Sequence, residues 1–148
     1  MDNIFLTTKV IWAQLDANMH LRHSAYADLA AQARIDMLGQ KGLAQQLSEE
    51  LKIGPILFRE ELTYLNEVRA GGIVHVSCQL SKCRADGSRY SISQNIYRDD
   101  GVKAAIVQVD GAWIDMNKRK LAVLPQHIVD AFLQLPRTED FAMLEDYK

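Results

Sequence analysis

Apolar and polar positions change period twice along this chain. The stretch Thr8–Ala13 is a short apolar run with Val10 and Trp12 two apart, which predicts a strand. A polar loop, Gln14–His23, follows and ends at Ser24, a residue type suited to capping a helix. From there Tyr26, Leu29, Ala30, Ala33, Met37 and Leu38 recur at helical spacing, and Gly39 is the expected stop. The helix is rich in alanine, which lets it approach a sheet closely, so it reads as a core helix. A second amphipathic piece carries Leu43, Leu47 and Leu51, and Gly54-Pro55 is expected to break it.

Beyond Ile56 the period becomes two. Strands are expected at Ile56–Leu65, Ile73–Lys82, Arg89–Arg98 and Val102–Asp115, with turn signals at Gly71-Gly72, Asp86-Gly87 and Asp99-Asp100-Gly101. Short connections predict an antiparallel meander of these four. In the second of them Val74, Val76, Cys78 and Leu80 form the apolar face, opposite His75, Ser77, Gln79 and Ser81. One strand, one long helix, then a run of strands makes the fold class α+β, an antiparallel sheet of about five strands with a helix laid against it. Through Ala104–Val109 both faces are apolar, so the strand needs cover on each side, either from a second copy of the chain or from the segment Ile128–Leu135.

Composition narrows the class. A length of 148 residues with 48% hydrophobic and 24% charged residues fits one domain, here taken as 1–148 with a C-terminal tail from about residue 137. A net charge of −2 without a basic block argues against a nucleic-acid partner. No apolar run approaches the ~18 residues of a membrane span and no basic, apolar leader opens the chain, so the expected location is cytoplasmic. Cys78 and Cys83, five apart in one expected strand, should face opposite sides and not bridge. They form no paired metal-ligand spacing with the histidines at 20, 23, 75 and 127, and no metal or resident cofactor is expected. A glycine-rich phosphate loop is also missing.

The chemistry is concentrated in one segment, Asp16-Ala17-Asn18-Met19-His20-Leu21-Arg22-His23-Ser24-Ala25-Tyr26. It sets a carboxylate and two imidazoles just before the core helix, whose first N–H groups can hold a developing oxyanion. The segment resembles the signature of the hotdog-fold acyl-CoA thioesterases, the 4-hydroxybenzoyl-CoA thioesterase-like and YbgC-like family. The likeness continues through Arg59-Glu60-Glu61-Leu62-Thr63-Tyr64-Leu65, the Gly71-Gly72 turn and the long strands to Asp115 and Leu124-Pro125. It covers roughly residues 8–130, judged from the strand and turn pattern.

The resemblance implies a long central helix wrapped by a curved antiparallel sheet, and hydrolysis of acyl-CoA with coenzyme A as part of the substrate. By that resemblance Asp16 and His23 are catalytic, and His20, Ser24 and Tyr26 bind substrate. A homodimer or homotetramer with the active site at the subunit interface is implied as well. Arg59, Lys82, Arg84 and Arg89 are candidate partners for the phosphates of coenzyme A, Arg59 and Arg89 foremost. Met19 stands where relatives usually carry glycine, and Arg22 replaces a smaller or aromatic residue. Two rival functions fit the same residues: a dehydratase or hydratase on acyl thioesters using His23 with Asp16, and a non-catalytic acyl-CoA binding module.

Overall fold

A computed structural model describes residues 2–144. The chain forms two compact units, Met1–Met37 with Glu61–Cys78 and Gln94–Val107, and Leu38–Glu60 with Gln79–Ser93 and Gln108–Lys148.

In the first unit strand β1 (Ile4–Lys9) runs antiparallel to β3 (Ile73–Ser77), with Thr8 opposite Val74. The upper part of β5 (Arg89–Arg98) pairs with the other side of β3, with Val76 opposite Ile96. The long helix α1 spans His23–Gln40 and buries Ala25, Tyr26, Leu29, Ala30, Ala33 and Met37. Gln94, fully buried on β5, ties the two layers together: its Nε2 donates to the Ala30 carbonyl at 2.9 Å, and Arg34 Nη1 donates to its Oε1 at 2.8 Å. Buried amides of this kind are retained where both ends find partners.

In the second unit β4 (Gln79–Arg84) pairs antiparallel with the lower part of β5 and parallel with β8 (Arg137–Leu144). Strand β6 (Lys103–Asp115) pairs β2 (Ile53–Tyr64), β5 and the short β7 (Lys120–Leu121). Helix α2 (Leu43–Gln45) continues into a π-helical turn, Gln46–Leu51, and α3 covers Gln126–Leu133. The core here is aromatic. Trp113 meets Phe132 edge to face at 5.4 Å and Tyr90 at 5.3 Å, and its indole N–H donates to the Gly87 carbonyl at 2.9 Å. Such ring pairs add roughly 0.5–1.5 kcal/mol each beyond burial.

The class expected from periodicity, α+β with a mainly antiparallel sheet, is the one observed. Several local expectations are corrected. The first strand is Ile4–Lys9, not Thr8–Ala13; Val10 is buried but Trp12 enters a 3-10 turn and is 81% exposed. Main-chain pairing decides this, since β3 takes residues 4–9 and Val10 N–H closes onto Gly72 O, ending the ladder. Helix α1 begins at His23, so Ser24 lies inside its first turn and its hydroxyl accepts from Arg22 Nε at 2.9 Å instead of capping. Gly39 lies within the helix, and the left-handed glycine is Gly42. Gly54-Pro55 belongs to β2, because the break already comes at Lys52, which itself takes the left-handed conformation.

The four-strand meander is also corrected: β2 pairs β6, while β1 occupies the place beside β3 that a meander would give to β2. The Ile73–Lys82 strand is interrupted at Cys78. A bulge between Leu80 and Lys82 then shifts the alternation by one, so Cys83 is buried like Cys78 and does not turn to a wet face. Both thiols are free. The stretch from Arg137 to Leu144, given no element by its pattern, is β8, and residues 145–148 of the expected tail lie outside the described part. Ile128, Val129 and Phe132 of α3 are buried, so the C-terminal segment does cover apolar side chains of its own unit.

Candidate active site

The loop before α1 is folded around one carboxylate. Asp16 N–H donates to His20 O at 2.8 Å and Met19 N–H to Asp16 O at 3.1 Å, closing a tight turn. Asp16 Oδ1 then accepts from the main-chain N–H groups of Asn18 at 2.8 Å and His20 at 3.1 Å. Both bonds fall on Oδ1, and Oδ2 carries neither. The turn requires a left-handed residue, and Met19 supplies it with φ 62° despite its side chain.

Main-chain bonds fasten this loop to the segment that follows β2. Leu21 N–H donates to Val68 O at 2.7 Å, Ala70 N–H donates to Met19 O at 3.2 Å, and His20 bridges Arg69. Val68, buried among core residues, anchors the second segment. This arrangement carries Glu67 to His20, where Nε2 and Oε2 stand 3.1 Å apart with the side chains 33% and 45% exposed.

The first turn of α1 completes one wall. N–H groups in a helix's first turn have no intrahelical acceptor and stand at the positive end of the dipole. Tyr64 Oη donates to His23 O at 3.3 Å, and the Tyr64 ring meets Tyr26 edge to face at 5.2 Å. The result is an open cleft of about 330 Å³ lined by Asp16, His20, His23, Tyr26, Tyr64 and Glu67, with Leu21, Leu65 and Asn66 between them. The Tyr26 hydroxyl is held above its ordinary pKa, first by burial and then by the neighbouring Tyr64, Asp16 and Glu67 charges. It is a poor acid and a durable hydrogen-bond donor.

Of the residues expected from the sequence, Asp16, His20, His23 and Tyr26 thus come together around one cleft. Ser24 is exposed in the same helical turn with its hydroxyl bonded to Arg22. Arg59 and Arg89 belong to the second unit. There Arg59 faces Asp110 at 3.9 Å, and the Arg89 guanidinium lies over the Phe58 ring at 4.5 Å. Arg89, Lys82 and Arg84 line a separate cleft with Asp110 and Ser91. Sequence reasoning missed Tyr64, Asn66 and Glu67. Tyr64 sits in the run quoted for the resemblance, but nothing local marks Glu67, whose place depends on a pairing 47 residues away from His20 in the chain. Among the described residues no group of three or more His, Cys, Asp or Glu side chains is assembled to hold a metal.

The model of one protein family, the thioesterase-like superfamily, matches residues 10–132. The chain belongs to this superfamily. That span nearly coincides with the likeness read from the loop and strand pattern. The curated proteins contain no match. Solved structures supply the fold. The hypothetical protein SAV2348 from Staphylococcus aureus, determined in complex with CoA, is 18% identical, covers 98% of this chain and 96% of its own, and superposes with a TM-score of 0.81. A 1,4-dihydroxy-2-naphthoyl-CoA thioesterase from Synechocystis is 18% identical with a TM-score of 0.75 over 88% of this chain and 95% of its own. A DHNA-CoA thioesterase from Staphylococcus aureus is 18% identical with a TM-score of 0.76, over 87% of this chain and 89% of its own. The fold is the hotdog fold of thioesterases, as the loop signature implied. No helix among the described residues is long and apolar enough to cross a membrane.

Proposed function

We propose that this member of the thioesterase-like superfamily is a cytoplasmic acyl-CoA thioester hydrolase with Asp16 as its reactive carboxylate. One observation carries the reading: Asp16 lines the same cleft as the first turn of α1, with one oxygen fixed by loop N–H groups and the other uncommitted. In this reading the acyl carbonyl oxygen points at the N–H groups of the first helical turn near His23 and Ser24, which polarise it. Asp16 Oδ2 then attacks the carbonyl carbon, or draws a proton from a water that does. Tyr26 and Tyr64 flank the acyl group, and His23 lends its main chain to the donor set.

Coenzyme A as the carrier is supported by the CoA complex of SAV2348, and Arg59 and Arg89 are proposed partners for its phosphates. The cleft is open, and Tyr64 and Leu65 on its rim are 51% and 46% exposed, an apolar edge suited to a second copy of the chain. A homodimer or homotetramer that completes the site is therefore part of the proposal.

A panel of aliphatic and aromatic acyl-CoA thioesters, assayed for free thiol, tests this. The wild type is expected to release thiol, Asp16→Ala and Asp16→Asn to lose at least 100-fold in kcat with folding intact, and Arg89→Glu to raise KM alone. Hydration or dehydration of the acyl chain without thiol release would assign the dehydratase reading instead. Tight acyl-CoA binding with no turnover, unaltered by Asp16→Ala, would leave a binding module.

A further inference from the structure

The cleft holds a second carboxylate that the reading above does not use. We infer that Glu67 is a positioning residue which holds His20 as the base of a separate hydrolytic step; the inference rests on Asp16 being the reactive group of this cleft.

The geometry comes from the contacts of His20 and of Glu67. The His20 ring turns its far nitrogen, Nε2, to Glu67 Oε2 at 3.1 Å. A carboxylate accepts and does not donate, so Nε2 carries a proton, and the neutral form of the ring has its lone pair on Nδ1. Nδ1 is the nitrogen nearer the main chain, and that main chain is bonded to Asp16, since His20 N–H donates to Asp16 Oδ1 at 3.1 Å. Glu67 is itself braced: Arg69 Nε and Nη2 lie 3.4 Å from its other oxygen, and Arg98 Nη1 donates to its main-chain carbonyl at 3.3 Å. In chain order, the Asp16 carboxylate, the oriented His20 imidazole and the Glu67 carboxylate therefore line one cleft.

This order divides the work. Asp16 Oδ2 forms a bond to the thioester carbon, the C–S bond breaks, and the thiolate leaves with the electron pair, giving a mixed anhydride on Asp16. A water then attacks the acyl carbon of the anhydride while His20 Nδ1 takes its proton. The bond from the acyl carbon to Asp16 breaks and regenerates the carboxylate, the acid departs, and His20 passes the proton to solvent or to the thiolate. No oxidant, reductant or further reactant enters.

The test uses hexanoyl-CoA and benzoyl-CoA with wild type, Glu67→Gln, Glu67→Asp, His20→Gln and Asp16→Asn. His20→Gln should show a burst of one thiol per site and then a steady rate lowered about 100-fold, because deacylation has lost its base. Glu67→Gln should show the same burst with kcat lowered about 10-fold and kcat/KM unchanged, since acylation is untouched, and Glu67→Asp should recover most of the rate. Nitrogen-15 spectra of labelled protein should show His20 in the Nε2–H form in wild type and a mixture of tautomers in Glu67→Gln. Wild-type kcat in Glu67→Gln, a change in KM alone, or an unchanged His20 tautomer would overturn the inference. An active Asp16→Asn would instead remove the proposed function itself, whereas an inactive Asp16→Asn beside a normal Glu67→Gln removes only the role of Glu67.

Discussion

Met19 offers a measurement in which the usual ranking of two substitutions reverses. Its φ of 62° puts a residue with a Cβ in the left-handed region, where an L residue is disfavoured by roughly 1–2 kcal/mol. Met19→Ala and Met19→Gly remove the same half-exposed side chain beyond Cβ, so losses of burial nearly cancel between them. What differs is the backbone. Glycine avoids the left-handed penalty but loses about 0.5–1 kcal/mol more chain entropy on folding. The balance makes Met19→Gly more stable than Met19→Ala by about 0.5–1 kcal/mol, or ~1–4 °C in Tm for a domain of this size.

At an ordinary helix or strand position the sign is opposite, with alanine ahead by a similar amount. Urea unfolding of the two variants under identical conditions measures the difference directly. Both should keep the loop, because Met19 contributes only its N–H to Asp16 O and its carbonyl to Ala70. Thiol release by the two should therefore match. A Met19→Ala protein as stable as Met19→Gly, or more so, would refute the argument that this turn strains its non-glycine residue.

Three further outcomes follow from packing and titration. A Cβ on Gly111 would lie 2.4 Å from Tyr90 Oη and 2.5 Å from the Ile56 carbonyl, so Gly111→Ala should cost about 3 kcal/mol in urea unfolding, since main chain must move. Gln94→Leu removes the Arg34 bond at 2.8 Å and the Ala30 bond at 2.9 Å and should lower stability by about 2 kcal/mol. Burial first of all raises the thiols of Cys78 and Cys83 to about 12 and about 11, so neither should react with a disulfide reagent at pH 8 until the protein unfolds. The folded state keeps those protons longer than the unfolded chain does, so stability is full below the ordinary thiol range and falls as pH rises through about 8.5 and beyond.

Elements set by local period were legible: β5 is observed at the bounds its alternation predicts, and the buried face of α1 matches its apolar spacing. What local pattern does not contain is the choice of partner. Thr8–Ala13 is as apolar as Ile4–Lys9, and only the ladder with β3 decides which of them is strand and leaves Trp12 in solvent. The bulge that buries Cys83 is likewise a property of two strands together, invisible in either sequence. Ser24 has the right chemistry for a cap two positions too late, because the Arg22 carbonyl already accepts the first helical N–H, from Ala25.

The same distinction runs through the site. Asp16, His20, His23 and Tyr26 fall within one turn and the helix it starts, so one stretch of sequence displays them and a family likeness can find them. Their partners arrive by main-chain bonds that any side chain would permit: Leu21 to Val68, Ala70 to Met19. Those bonds fix where Glu67 stands without asking anything of the residues that make them, which is why no motif announces it. It follows that the carboxylate meeting the His20 ring is specified by the fold and not by the loop. Changes in the residues 66–70 segment should therefore alter His20 while leaving Asp16 on its own loop N–H groups. Deleting one residue between Tyr64 and Val68 is the sharpest case, since it shifts Glu67 off His20 yet leaves every bond within the Asp16 turn in place.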